Sequence, residues 1–152
     1  MFIEVDEAVR ILLKGGVVAF PTETVYGLGA VACDAVAVEK VYQAKNRPPD
    51  NPLICHFYSL KQIQDYVPEL NSTAKLILNF FAPGPLSLLL PLPNNSPLLP
   101  ATRGLLSVIV RWPNHPVALD LIKKLGLPLA GPSANTSGKF SGTDPEMIVR
   151  DL

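Results

Sequence analysis

A chain of 152 residues with 48% hydrophobic content has material for one compact domain with its own core, and too little for two of ordinary size. Thirteen basic residues cancel thirteen acidic ones, which excludes bulk attraction to nucleic acid or to an anionic membrane, so any anion site must be local. The two cysteines, Cys33 and Cys55, have neither zinc-ligand spacing nor the pattern of a disulfide-framed secreted fold.

In chain order, the first ten residues carry Glu4, Asp6 and Glu7 and no basic segment ahead of an apolar stretch, so they do not read as a signal peptide. Asp6 is expected to cap a first helix with Val9, Leu12 and Leu13 on one face, closed by Gly15 and Gly16, before a short apolar strand over 17–20 that Pro21 ends. Asp34 caps a second helix running to about Lys45, with Val38, Val41 and Tyr42 spaced for burial, and Arg47-Pro48-Pro49 terminates it. A strand follows over 53–58, then helices over 59–67 and 72–81, then apolar strands over 86–90 and 105–110. Asn114 is placed as the cap of a helix carrying Val117, Leu121 and Leu125, with Gly126 at its stop, and 127–130 is a short strand. Thr143-Asp144-Pro145 opens a last helix that has barely begun at Leu152.

The most apolar stretch, 80–92, is cut by Pro83, Gly84, Pro85 and Pro91 and falls far short of the ~20 apolar residues of a membrane span. Sixteen prolines and ten glycines are spread between apolar runs, leaving no linker, repeat or domain boundary. The alternation predicts an α/β fold: a single domain with a twisted, mostly mixed or parallel open sheet flanked by helices. Missing leader and span signals together point to a cytoplasmic protein without membrane contact.

Polar chemistry gathers in three segments at element ends, where rigid scaffolds present functional groups. Pro21-Thr22-Glu23-Thr24-Val25-Tyr26-Gly27-Leu28-Gly29 offers hydroxyls and a carboxylate for a small polar substrate, or forms an ordinary turn with a self-bonding Thr/Glu pair. Lys45 and Arg47, one residue apart and stiffened by Pro48 and Pro49, can grip a polyphosphate, Arg47 in bidentate fashion and Lys45 as a point charge. Cations in a last helical turn also complement the helix dipole without any ligand. The stretch 131–139, from Gly131 to Lys139, can cradle phosphate with backbone N–H and hydroxyl groups or be a Ser/Asn-rich surface loop. GxxxxGK[ST] and GxGxxG are both missing, so neither a P-loop nor a dinucleotide fingerprint is on offer.

In this order the segments resemble the YrdC-like family of threonylcarbamoyl-AMP synthases, through PTETVYGLG at 21–29, AKNRPPDNPLICHF at 44–57, APGPLSLLLP at 82–91, SVIVRWPNHP at 107–116 and PLAGPSANTSG at 128–138. The resemblance implies a YrdC-like domain over 1–152. It also implies an L-threonylcarbamoyladenylate synthase, a nucleotidyltransferase that forms threonylcarbamoyl-AMP and pyrophosphate from L-threonine, bicarbonate and ATP for the tRNA t6A37 modification. By position it implies ATP contacts at Lys45, Arg47, Asn51, Ser107, Ser133, Asn135 and Ser141, and threonine contacts at Thr24, His56, Arg111 and Gly131. No catalytic nucleophile is implied; Lys45 and Arg47 align and neutralise charge. Mg2+ is expected to be bound through the phosphates rather than by a protein cage, and a separate transferase complex to receive the product.

Apart from the resemblance, His56 reads as a satisfied strand histidine and Arg111 as a residue emerging into solvent. Family members also carry, beyond the Ser-x-Asn loop, a Ser-Thr-Val-rich strand and an Arg-x-Gly that this sequence lacks, so a complete protein is expected to continue past Leu152. Asn46 stands where glycine is frequent, and Gly131 where alanine or threonine is; neither is expected to matter much. Two alternatives are a double-stranded RNA-binding module, with Lys45, Arg47, Arg103 and Lys139 converging on one face, and a catalytically silent nucleotide-binding paralogue. A third, a carbamoyl-adenylate domain of a hydrogenase-maturation carbamoyltransferase, normally sits in a much longer chain.

Overall fold

The computed structural model describes residues 3–151. Met1, Phe2 and Leu152, which bear on the expected absence of a leader and on the abrupt end of the last helix, lie outside the described residues. The elements are α1 (Val5–Leu13), β1 (Val18–Phe20), β2 (Gly27–Val31), α2 (Ala35–Lys45), β3 (Ile54–His56), α3 (Leu60–Tyr66) and α4 (Ser72–Phe81). They continue with β4 (Ser87–Pro91), α5 (Leu99–Thr102), β5 (Ser107–Arg111), α6 (Pro116–Leu125), β6 (Leu129–Ala130) and α7 (Pro145–Asp151).

Caps set several helix starts. The Asp34 carboxylate accepts from the Val36 and Ala37 amides at 2.9 and 3.0 Å, an arrangement worth about 1 kcal/mol. Two caps differ from expectation. Glu4, with no side-chain cap bond, precedes α1, because Asp6 lies inside the first turn and turns its carboxylate to Lys124 of α6 at 2.9 Å. His115 rather than Asn114 caps α6, its Nδ1 accepting from the Val117 amide at 3.3 Å, since Pro116 occupies the first helical position. Leu13, expected on one face with Leu12, is exposed while Leu12 is buried, and Val117 is exposed while Leu121 and Leu125 are buried.

The six strands run in the order β1-β2-β6-β3-β5-β4. All neighbouring pairs are antiparallel except β3 and β5, which are parallel in the register Ile54↔Ile109, Cys55↔Val110 and His56↔Arg111. The expected mixed sheet flanked by helices is therefore what forms. β2 and α5 went unanticipated: Gly27-Leu28-Gly29-Ala30-Val31 lacks both alternation and bulk, yet all five residues are buried.

Two apolar clusters cover the sheet. On one face α2, α3, α4 and α5 pack Val38, Val41, Ile63, Leu78 and Ala101 against Cys55, Val108, Val110 and Ala130. On the other, α1 and α6 pack Leu12, Leu121 and Ile122 against Phe20, Val31 and Leu129. Alternation puts His56 and Arg111 on this second face, level with Leu129. The burial of β5 alternates, with Val108 and Val110 buried and Ser107, Ile109 and Arg111 part-exposed. Beyond β6, then, the second face is open to solvent, and the 21–26 loop reaches over it. No helix of the described residues is long and apolar enough to cross a membrane.

Candidate functional site

The site begins with two glycines. A Cβ at Gly27 or Gly29 would stand 2.8 Å from the Phe20 ring, so their bareness lets Phe20 lie flat on β2. Phe20 in turn meets the His56 ring in an edge-to-face contact, with centroids 5.3 Å apart at 83°. His56 is 4% exposed, and its Nδ1 is buried without a hydrogen-bond partner. Burial, reinforced by the neighbouring Arg111 charge, pushes its pKa down to about 4, so the imidazole is neutral at physiological pH.

Parallel pairing sets Arg111 directly beside His56. Arg111 Nη2 donates to Glu23 Oε1 at 2.5 Å and to Thr24 Oγ1 at 3.0 Å, while its Nε is buried and unpartnered. The other Glu23 oxygen accepts from the Asn114 amide at 3.0 Å. Burial of Glu23 would raise its pKa, but the Arg111 hydrogen bond and charge, with backbone donors, hold it below the ordinary carboxylate value. Thr22 shapes the loop: its hydroxyl donates to the Val25 carbonyl at 2.6 Å and accepts from the Val25 amide at 3.2 Å. The self-bonding turn is therefore real, but Thr22 makes it, and Glu23 bonds across the fold instead.

Between this loop and the sheet lies a cavity of about 50 Å³, lined among others by Thr24, Ile54, His56, Arg111, Gly131 and Ser133. All four positions expected to contact threonine thus line one cavity, together with Ser133 of the expected nucleotide set.

Of the remaining positions, Lys45, Asn135 and Ser141 connect to it through the 131–141 loop, whereas Arg47, Asn51 and Ser107 do not line it. Lys45 is 1% exposed, and its ammonium donates to the Ser133 and Asn135 carbonyls; the Ser137 amide returns a bond to the Lys45 carbonyl at 3.0 Å. Asn135 binds the loop internally: its amide donates to the Thr136 and Lys139 carbonyls, each at 2.9 Å, and its oxygen accepts from Ser141 Oγ at 3.3 Å. Arg47 diverges from Lys45 because Asn46 is left-handed, at φ 49° and ψ 42°, a conformation asparagine tolerates. Arg47 is only part-buried, and donates to the Asn51 and Pro52 carbonyls at 3.2 and 3.1 Å. Ser107 stands at the start of β5, four residues from Arg111 and outside the small cavity. Further along the loop a second cavity, of about 390 Å³, is lined by Ala134, Gly138, Lys139, Phe140, Gly142, Met147 and Arg150, within the size range of ligand pockets.

Gly131 is tightly packed against the backbone of β2. A Cβ there would stand 2.5 Å from the Leu28 carbonyl oxygen and 3.2 Å from Gly29 Cα, and backbone cannot step aside as a side chain can. Gly131→Ala is expected to lower stability by about 1–3 kcal/mol through overpacking, read as a lower melting temperature. Glu23, Thr22 and Ile54 were not singled out as site residues from sequence; the lone carboxylate between two threonines was the available signal for Glu23.

Comparison with known proteins shows the family and the fold. The Sua5_yciO_yrdC family model, described as "Telomere recombination", matches residues 10–152. The chain is 47% identical over 149 residues to the threonylcarbamoyl-AMP synthase of Bacillus subtilis, covering 98% of this chain and 43% of that protein. It is 35% identical to the protein of that name from Vibrio vulnificus, covering 100% of this chain and 82% of the relative. The crystal structure of P. abyssi Sua5 complexed with L-threonine superposes with a TM-score of 0.92 at 44% identity, covering 99% of this chain and 45% of that one. The chain thus spans less than half the length of the Bacillus and P. abyssi proteins.

Proposed function

The chain belongs to the Sua5/YciO/YrdC family, and from that premise we propose that it carries the site of an L-threonylcarbamoyladenylate synthase, a nucleotidyltransferase. The observation that carries the reading is that Ser133 belongs to both halves of the site: its residue lines the Arg111–His56 cavity, and its carbonyl holds Lys45. An amino acid and a polyphosphate bound in these two places meet at one loop.

The cationic Arg111 suits a carboxylate, and the Thr24 hydroxyl and neutral His56 suit polar groups of a small amino acid such as threonine. The threonine amine and bicarbonate combine to a carbamate with loss of water. A carbamate oxygen then attacks the ATP α-phosphorus, the bond to the β-phosphate oxygen breaks, and pyrophosphate leaves. Lys45 and Arg47 would neutralise the phosphates, with Asn51, Ser107, Asn135 and Ser141 around the nucleotide, and the 390 Å³ cavity offers room for it. The protein supplies alignment and charge rather than a nucleophile. Mg2+ would accompany ATP through phosphate oxygens and water.

The product would pass to a transferase acting on tRNA in the cytoplasm. Direct RNA binding by a basic face is the weaker reading. Arg103 is engaged by Glu39 at 3.0 Å and by the Tyr42 ring at 3.8 Å, which leaves it little to offer a phosphate backbone, and the chain carries no net positive charge. The test is pyrophosphate release from ATP with bicarbonate and Mg2+. Release is expected to depend on L-threonine, and threonine-independent release or none from the protein at its full natural length would remove the proposal. L-Serine is expected to be a poorer substrate by about tenfold or less, since a single methyl contact discriminates weakly.

A further inference from the structure

Glu23 holds Arg111, the guanidinium proposed above to take the carboxylate of a bound amino acid. Its Oε1 lies 2.5 Å from Arg111 Nη2, its Oε2 takes the Asn114 amide, and the Glu23 and Arg111 side chains are only 17% and 14% exposed. This double attachment draws the 21–26 loop onto the open sheet face, across 88 and 91 positions of sequence. The cavity beneath the loop, about 50 Å³ and partly open to solvent, has room for a few waters. Arg111 cannot serve two carboxylates at this spot without their repelling each other in a poorly solvated place.

We infer that Glu23 is an internal competitor for the substrate carboxylate, a latch that holds the 21–26 loop closed on Arg111 and is displaced when the amino acid binds. The inference rests on the reading of the cavity as an amino-acid site and deepens it. Carboxylate exchanges for carboxylate on one guanidinium, so Arg111 is never left uncompensated, and the Glu23 side chain and its loop move outward with the charge. The latch makes the binding-competent state a fraction of the population, and apparent affinity falls by that fraction. It also selects against ligands without a carboxylate, since they cannot take the guanidinium from Glu23.

The experiment titrates L-threonine into the wild-type chain and into Glu23→Gln by calorimetry. Glutamine can still accept from Arg111 and Asn114, so the loop keeps its contacts while the competing charge is gone. Glu23→Gln is expected to bind L-threonine about fivefold more tightly. An equal or weaker affinity would overturn the latch and make Glu23 a residue that merely positions Arg111. A second readout needs no variant of the binding reaction: the Asn114 amide resonance of the wild-type chain, on saturation with L-threonine, should move to the position it holds in ligand-free Glu23→Ala. A resonance that stays in place at saturation equally overturns the inference. Absence of L-threonine binding to both proteins would sink the amino-acid reading itself, and the latch with it, a result distinct from binding without the expected difference.

Discussion

Replacing Lys45 with alanine is expected to cost both stability and nucleotide affinity, whereas replacing Arg47 is expected to cost affinity alone. The side chain of Lys45 is a tie: it is buried, and its ammonium satisfies the Ser133 and Asn135 carbonyls. Truncation removes its packed methylenes and leaves two carbonyls in want of a donor, together on the order of 3 kcal/mol. Loss of the tie also frees the 131–141 loop, so ATP binding should fall by well over tenfold. Lys45→Met separates the two effects, because it keeps the stem and deletes the charge; it should recover part of the stability and none of the affinity. Arg47 is part-buried, with two carbonyl contacts at 3.1–3.2 Å, and Arg47→Ala should melt within a few degrees of wild type. Melting curves with ATP titrations on the three variants decide this. A Lys45→Ala protein as stable as wild type would show that the tie contributes nothing.

The second large effect is a dependence of stability on pH set by His56. Its folded pKa, about 4, lies below the ordinary value of 6.5, chiefly because burial disfavours the charged ring. The unfolded chain therefore takes up the proton first as pH falls. Stability from the neutral ring is fully present above pH 6.5, is lost progressively as pH falls toward 4, and reaches a total loss on the order of 3 kcal/mol. Glu23, also held below its ordinary value, acts in the same direction but only below about pH 4.5, where an unfolded glutamate begins to protonate. His56→Asn should flatten the stability profile between pH 6.5 and 4.5 and leave the more acidic part in place. Thermal melts at half-unit intervals test this, and an unchanged slope in the variant would assign the pH dependence to other groups.

Much of the fold was legible because its signals are local. Asp34 as a cap, Gly126 as a stop in left-handed conformation at φ 71°, and the apolar runs of β3, β4 and β5 all announce themselves within a few residues. β2 did not, because its glycines serve Phe20, seven and nine positions away, and nothing in Gly27-Leu28-Gly29 states what it lies against. Among site residues, Thr24, His56, Arg111 and Gly131 came only through resemblance. Taken alone, His56 reads as a satisfied, half-buried strand histidine; the structure instead buries it almost fully and leaves its Nδ1 unpartnered beside Arg111. That adjacency comes from the parallel pairing of β3 with β5, which no local pattern specifies. Lys45 shows the opposite failure, since a lysine in a last helical turn looks like a surface charge, and its partners lie 88 and 90 residues downstream.

Those long separations have a consequence for how the molecule gains and loses its site. The Glu23–Arg111 and Lys45–Ser133 links each join opposite thirds of the chain, so neither terminal half can hold a vestige of the cavity by itself. Recognition arises only once the complete sheet has closed, and fraying of either edge erases it. An occupant of the site therefore works as a brace on the entire domain, and by mass action its concentration, as much as the sequence, sets how long the folded form survives.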